Sequence, residues 1–274
     1  MHSSTELPLG KHTEYVDRYS PSLLFPIKRK QARDAIGLAA GIPLPFFGVD
    51  LWTAYELTWL NRRGKPMAGV VQLEVACDSQ CIVESKSMKQ YLNSFAQSPF
   101  DNRDSVLNTL RTDLSNAFDG VLKINLLDVS SVDLGLNQAA GLCLDDLDID
   151  IEHYDCEPSL LMCTGGAIKN ETVHSDLFRS LCPVTGQPDF ASVIVRYVGR
   201  AISHQSLLAY WVSFRNHQAF HESTVEQMFI DISARCTPSQ LCVSGRFLRR
   251  GGIDINPMRS TSALAYSSSR LPRQ

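Results

Sequence analysis

Regular alternation of apolar and polar positions starts at residues 67–76, where Gly69, Val71, Leu73 and Val75 alternate with Gln72 and Glu74. A period of two predicts a half-buried strand. The aromatic-rich stretch 51–60 lies just before it across a turn at 61–66, so a hairpin is expected. The period then changes. Met88, Tyr91, Leu92 and Phe95 fall on one stripe of a helix over 84–95. Val106, Leu107, Leu110, Leu114 and Phe118 do the same for a second helix, which Asp101 or Asn102 can cap. Residues 121–129 return to strand. Leu147, Ile149 and Ile151 alternate with Asp146, Asp148, Asp150 and Glu152, which predicts a strand with an acidic solvent face and not a metal site. Residues 1–47 are expected to form an extended arm, with its basic run Lys28-Arg29-Lys30 as a solvated strip.

The same order recurs downstream: a strand at 191–199, a helix at 203–214, a second helix at 221–236 and a strand at 240–248. Ser87, Tyr91, Ser94 and Phe95 recur 119 residues later as Ser206, Tyr210, Ser213 and Phe214, and Val106 as Val225. These matches predict an internal duplication of a strand-strand-helix-helix-strand-strand unit, an α+β class, with the division near 154–171. The polar residues have diverged. Glu84-Ser85-Lys86-Ser87 faces Ser203-His204-Gln205-Ser206, and Phe100-Asp101-Asn102 faces Phe220-His221-Glu222. Duplicated scaffolds of that kind often share one site between their halves.

The stretch Ser180-Leu181-Cys182-Pro183-Val184-Thr185-Gly186-Gln187-Pro188-Asp189 stands out. A residue before proline is pushed out of the helical region, and Pro183, Gly186 and Pro188 predict a fixed turn. Cys182 and Asp189 would then stand at the mouth of the strand 191–199. A thiol beside a carboxyl suits a nucleophile with a proton-transfer partner. The alternative is that Cys182 is one more small buried hydrophobe.

Composition narrows the classes. The chain has 274 residues, 44% hydrophobic and 20% charged, with a formal charge of −3, which supplies no field for nucleic acid or an anionic membrane. The first twenty residues lack the apolar core of a signal peptide, and 36–49 is too short and proline-broken to span a bilayer. The expectation is a cytoplasmic protein whose eight cysteines are reduced. None forms a Cys-x-x-Cys pair, and Cys77 with Cys81 is a weak metal signal.

Three further constellations carry chemistry. Glu84 and Ser85 suit capping of a helix start, where Lys86 and Lys89 could also help backbone amides hold an anionic phosphate. His221 and Glu222 head a helix and could cap it or recognise a flat heterocycle. His217 lies four residues before His221 but lacks a third ligand for a metal and is expected in a loop or at the surface. Arg249-Arg250-Gly251-Gly252 follows the last predicted strand, and paired arginines with glycines suit phosphate, although a solvated strand end is the simpler reading. No Gly-x-Gly-x-x-Gly occurs, so a dinucleotide would bind outside a Rossmann crevice.

Together these stretches resemble the NADPH-dependent 7-cyano-7-deazaguanine reductases, the QueF-type nitrile reductases of queuosine biosynthesis, in their two-domain form. The resemblance covers nearly the whole chain. It runs through Leu44-Pro45-Phe46, Asp50-Leu51-Trp52-Thr53, Tyr55-Glu56-Leu57, Trp59-Leu60-Asn61, Glu84-Ser85-Lys86-Ser87, Tyr91-Leu92-Asn93-Ser94-Phe95, the turn from Cys182 to Asp189, Val212-Ser213-Phe214-Arg215, Phe220-His221-Glu222 and Arg249-Arg250-Gly251-Gly252. Gln90 and Met258 depart from the pattern, and neither is expected to remove activity. The resemblance implies a tandem tunnelling fold, two antiparallel sheets each backed by two helices, with domains at 1–155 and 156–274 in a homodimer. It implies that Cys182 adds to the nitrile carbon to give a covalent thioimide, with Asp189 in proton transfer. It implies that Val83, Glu84, Ser85, His221 and Glu222 hold the deazaguanine, and that Ser85, Lys86, Arg250 and Gly251 hold NADPH. Two NADPH are consumed per turnover, and no metal, nucleic acid or membrane takes part.

Two other readings remain at this point. One is a zinc-dependent GTP cyclohydrolase-like enzyme of the same fold, with Cys182 and His221 as ligands. The other is a purine-binding module without catalysis.

Overall fold

A computed structural model describes residues 15–39, 41–130, 135–263 and 270–274. These fall into two compact units. Unit 1 takes the described residues within 1–35, 50–133 and 249–255, and unit 2 those within 36–49, 134–248 and 256–274.

Unit 1 contains the expected hairpin as β2 (Phe47–Asn61), whose first three residues belong to unit 2, and β3 (Pro66–Ala76). Before them, β1 (Pro26–Lys28) and the short helix α1 (Lys30–Ala35) replace part of the expected extended arm; residues 1–14 lie outside the described residues. β4 (Cys81–Val83) pairs antiparallel with β1. The first helix is α2 (Ser85–Asn93), with Glu84 as its N-cap, and the two-residue β5 (Pro99–Phe100) adds in parallel to β2. Asn102, not Asp101, caps α3 (Arg103–Phe118) in a reciprocal capping box with Ser105. β6 (Leu122–Leu127) then pairs antiparallel with β3. Alternating Val71, Leu73 and Val75 meet the predicted helical stripes, Met88, Tyr91, Leu92, Phe95 and Val106, Leu110, Leu114, Phe118, in one core. The basic run is not uniformly solvated. Arg29 is 5% exposed and donates to Asp50 at 2.6 Å and to Ser79 Oγ, because a guanidinium at depth needs a carboxylate.

Unit 2 is built on the long antiparallel pair β8 (Cys163–Leu181) and β9 (Pro188–Ile202), with β7 (Leu142–Cys143) parallel to β8 at its edge. Behind them lie α4 (His204–Ser213) and α5 (His221–Cys236), followed by β10 (Gln240–Phe247) and β11 (Ile253–Ser260). β11 begins in unit 1 and pairs with β10 through residues 258–260. Residues 146–152 do not form the expected strand. Just before them the Asp145 carboxylate accepts from Ser175 Oγ at 2.6 Å and from the Asp176 N–H at 3.0 Å. Among the described residues no helix is long and apolar enough to cross a membrane.

The duplication holds, with a correction to its register. α3 and α5 are both 16 residues long and align 118 residues apart, so Val106 matches Thr224 rather than Val225. Both helices end on a left-handed residue, Asp119 and Thr237. A second repeat went unread in the sequence: Pro21-Ser22-Leu23-Leu24 recurs as Pro158-Ser159-Leu160-Leu161. In each unit this segment is one 3₁₀ turn laid along the first long helix. The Ser94 hydroxyl accepts from the Ser20 N–H and that of Ser213 from the Glu157 N–H, both at 3.1 Å. Ser87 accepts from Phe25, and Ser206 from Met162, in the same way. These are mixed α+β units with mainly antiparallel sheets backed by two helices, the class that the resemblance implied.

Candidate active site

The Cys182 turn links β8 to β9 and belongs wholly to unit 2. The Cys182 N–H donates to the Gln187 carbonyl at 2.8 Å, and the Gly186 N–H to the Cys182 carbonyl at 2.9 Å. One residue earlier, the Leu181 N–H donates to the His217 carbonyl at 2.9 Å, which pins the end of β8 to the segment before α5. Asp189 lies inside β9, across from Ser180, not ahead of the strand as the sequence suggested. Side chains alternate along a strand, so Ser180, Asp189 and Cys182 share one face, with Cys182 the diagonal neighbour of Asp189. Cys182 is 9% exposed, Asp189 5% and Glu222 2%.

A β-bulge decides which face that is. Between Ser175 and Phe178 the register of β8 against β9 shifts by one residue. Such a slip moves every later side chain to the other face of the sheet. Asp145 holds the bulge through Ser175 and Asp176, and Asp176 in turn accepts from the Ser192 hydroxyl.

His221 is the first residue of α5, and its Nε2 lies 3.4 Å from Asp189 Oδ2. Its ring stacks flat on Phe247 of β10, centroids 3.7 Å apart and planes within 4°. Imidazole and carboxylate thus stand together on the face that carries the thiol. Phe220 gives α5 no capping side chain, and Glu222 sits buried in the first turn. His217 lies in the loop before α5, as expected, and is half-buried there: its ring packs on Phe214, its Nε2 is buried without a partner, and burial lowers its pKa. Among the described residues no cluster of three or more His, Cys, Asp or Glu is arranged for a metal.

The remaining candidates lie in unit 1. Val83 ends β4, buried and paired with Pro26. Glu84 does cap α2: its two oxygens accept from the N–H groups of Lys86 at 2.8 Å and Ser87 at 2.7 Å. A carboxylate keeps further lone pairs for a ligand. Ser85 and Lys86, both half-buried, open the helix. Arg250 and Gly251 belong to a closed turn, and a side chain added at Gly251 would meet Lys89 Cδ at 3.0 Å and Cε at 3.1 Å. Lys89 therefore lies along the Arg250-Gly251 turn. These cations beside a helix start fit an anionic phosphate.

Two residues at these places were missed in the sequence. Phe247 was legible only as an inward position of an alternating strand, and Tyr55 only as one aromatic in the stretch 51–60. Nothing local distinguishes them from core.

Comparison with known proteins points the same way. Residues 15–126 match the family described as nitrile reductase, 7-cyano-7-deazaguanine-reductase N-term, and residues 188–265 match the QueF-like protein family. A protein of Burkholderia pseudomallei strain 1710b called NADPH-dependent 7-cyano-7-deazaguanine reductase is 49% identical over 92% of both chains. One of the same name from Burkholderia vietnamiensis is 51% identical over 92% of both chains. A solved structure of an archaeosine synthase QueF-Like in the apo form covers 37% of this chain and 100% of its own, with a TM-score of 0.32 and 15% identity.

Proposed function

Because this chain belongs to the 7-cyano-7-deazaguanine reductase family, we propose that it reduces the nitrile of 7-cyano-7-deazaguanine to an aminomethyl group at the expense of NADPH. The observation that carries the proposal is the Asp189–His221 pair on the strand face shared with Cys182.

Cys182 is the nucleophile in this reading. Its sulfur adds to the nitrile carbon, the triple bond becomes a C=N double bond, and the nitrogen takes a proton, giving a thioimide. Asp189 and His221, already paired, move protons to and from that nitrogen, a role typically worth about 10² to 10⁴ in rate. Glu222 and His221 hold the deazaguanine ring together with Val83, Glu84 and Ser85. Burying a heterocycle with several N–H groups requires an acceptor for each, which two buried carboxylates supply. NADPH, when bound, would supply the hydride for both reductions; between them the C–S bond breaks, which frees the Cys182 sulfur and leaves an imine, and the second reduction gives the amine. Ser85, Lys86, Arg250 and Gly251 hold its phosphates. We further propose that residues 1–155 and 156–274 are the two tandem domains, and that the chain works as a cytoplasmic homodimer without a metal.

The test is NADPH oxidation in the presence of the nitrile, with cofactor consumed counted against amine formed. A ratio of two supports the proposal. A ratio of one, or oxidation that does not depend on the nitrile, refutes it.

A further inference from the structure

The Arg250-Gly251 turn has little of its own to hold it in place. The Arg250 N–H donates to the Ile253 carbonyl at 2.9 Å, and the Ile253 N–H returns the bond at 3.3 Å. Gly251 and Gly252 have φ of +59° and +79°. Two central residues in the left-handed region make a primed two-residue turn, which only glycine-like residues adopt without strain. The two glycines carry no side chains to hold the turn, so contacts from neighbouring residues help set where it points.

One residue of unit 1 meets the turn before and after its bend with its side chain, and within it with its backbone N–H. Tyr55, on β2, donates its N–H to the Gly252 carbonyl at 2.9 Å. Its hydroxyl donates to Asp254 Oδ2 at 2.5 Å, and Asp254 is itself buried. Its ring carries the Arg249 guanidinium 4.4 Å from the centroid, a cation–π contact. At Gly251 the turn also lies against Lys89 of α2. Arg249 is held on the ring and Arg250 is half-buried, with Lys89 beside the next residue, Gly251.

We propose that Tyr55 is a positioning residue for the cofactor: it clamps the Arg250-Gly251 turn against Lys89 and so sets the affinity for the phosphates of NADPH without touching them. The inference rests on the assignment of Arg250 and Gly251 to the cofactor. It goes beyond that assignment by naming what holds those two residues in place.

The experiment compares wild type with Tyr55→Phe, which removes only the hydroxyl, and Tyr55→Leu, which also removes the ring. Four quantities are read: the Kd for NADPH by fluorescence titration, KM, kcat, and the Cys182 adduct with the nitrile by mass spectrometry without NADPH. Loss of a hydrogen bond to a buried carboxylate predicts a Kd and KM for NADPH about 10-fold higher in Tyr55→Phe, and more in Tyr55→Leu. kcat should stay within about twofold, and adduct formation should be unchanged. Arg249→Gln, at an exposed position, should raise the NADPH KM too, and its effect should shrink in the double variant with Tyr55→Leu, which removes the ring, but persist in that with Tyr55→Phe. An unchanged NADPH Kd in Tyr55→Phe, or a loss of adduct equal to the loss of NADPH binding, overturns the inference. Failure of wild type to oxidise NADPH with the nitrile sinks the underlying function instead, a result the variants cannot imitate.

Discussion

Asn61 and Cys182 occupy the same place in the two halves of the chain. Each opens the turn of a hairpin. The Asn61 N–H donates to the Lys65 carbonyl at 3.0 Å, as that of Cys182 does to Gln187 at 2.8 Å. The preceding leucine, Leu60 or Leu181, donates its N–H to Ser98 or His217. Pro66-Met67 then matches Pro188-Asp189, and Arg103 matches His221. One copy carries thiol, carboxylate and imidazole; the other carries amide, thioether and guanidinium. Asn61→Cys is therefore expected to add a thiol and no second centre. In a Cys182→Ala background it should restore neither turnover nor a nitrile adduct, as intact-mass measurement would show.

Cys182→Ala should abolish turnover and leave the fold in place, with a stability loss of about 1 kcal/mol for a small buried side chain. Asp189→Ala should form the adduct and reduce it slowly. The 3.4 Å approach of His221 adds a further expectation. His221→Ala and Asp189→Ala should be strongly non-additive in kcat, since each removes half of one proton-handling pair. Fully additive losses would mean that the two act separately.

Asp145 should matter to Cys182 at a distance in sequence. If it holds the bulge that sets the face of Ser180 and Cys182, Asp145→Ala lowers the rate of adduct formation by about 10-fold or more, the scale of a misplaced reacting group. The Kd for NADPH should not move. An unchanged adduct rate would show that the bulge holds without it.

The two halves should respond alike where their hydrogen bonds are alike. Ser87→Ala removes a hydroxyl that accepts from the Phe25 N–H, and Ser206→Ala removes one that accepts from the Met162 N–H. Each is expected to cost about 1–3 kcal/mol in denaturant unfolding. Arg29→Ala leaves the fully buried Asp50 without its guanidinium and should cost about 3–5 kcal/mol.

His217 gives the pH dependence. Burial lowers its pKa in the folded chain below the ordinary value of 6.5, so the unfolded chain binds a proton more readily. The stability from keeping it neutral is complete above pH 6.5 and is lost as the pH falls below it. Between pH 7.5 and 5.5, wild type should lose more unfolding free energy than His217→Phe. The difference should not exceed about 1.4 kcal/mol per pH unit. Equal losses would remove His217 as the cause.

Phe247 should reveal itself through His221. Phe247→Leu keeps an apolar side chain but removes the flat surface under the imidazole. A fall in kcat larger than the fall in nitrile affinity is expected, from steady-state kinetics at saturating NADPH.

By itself the sequence determined the periods, and with them most elements and the pairing of two like halves. Period-two and period-3.6 patterns reflect burial on one face, which each segment encodes locally; α5 begins and ends where its stripe of Val225, Met228, Phe229 and Ile232 predicts. Cys182, Asp189, Glu84 and the arginine–glycine turn were legible because proline, glycine and clustered charge are unusual in a strand or helix start. Only the tertiary structure decided the rest. The acidic segment at 146–152 alternates like a strand but forms none, and Asp145 just before it bonds to the bulge in β8. Arg29, Phe247 and Tyr55 have ordinary local sequences. Their roles come from Asp50, His221 and the Gly251-Gly252 turn, partners 21, 26 and about 200 residues away. No pattern within one segment records a contact whose other half lies elsewhere in the chain.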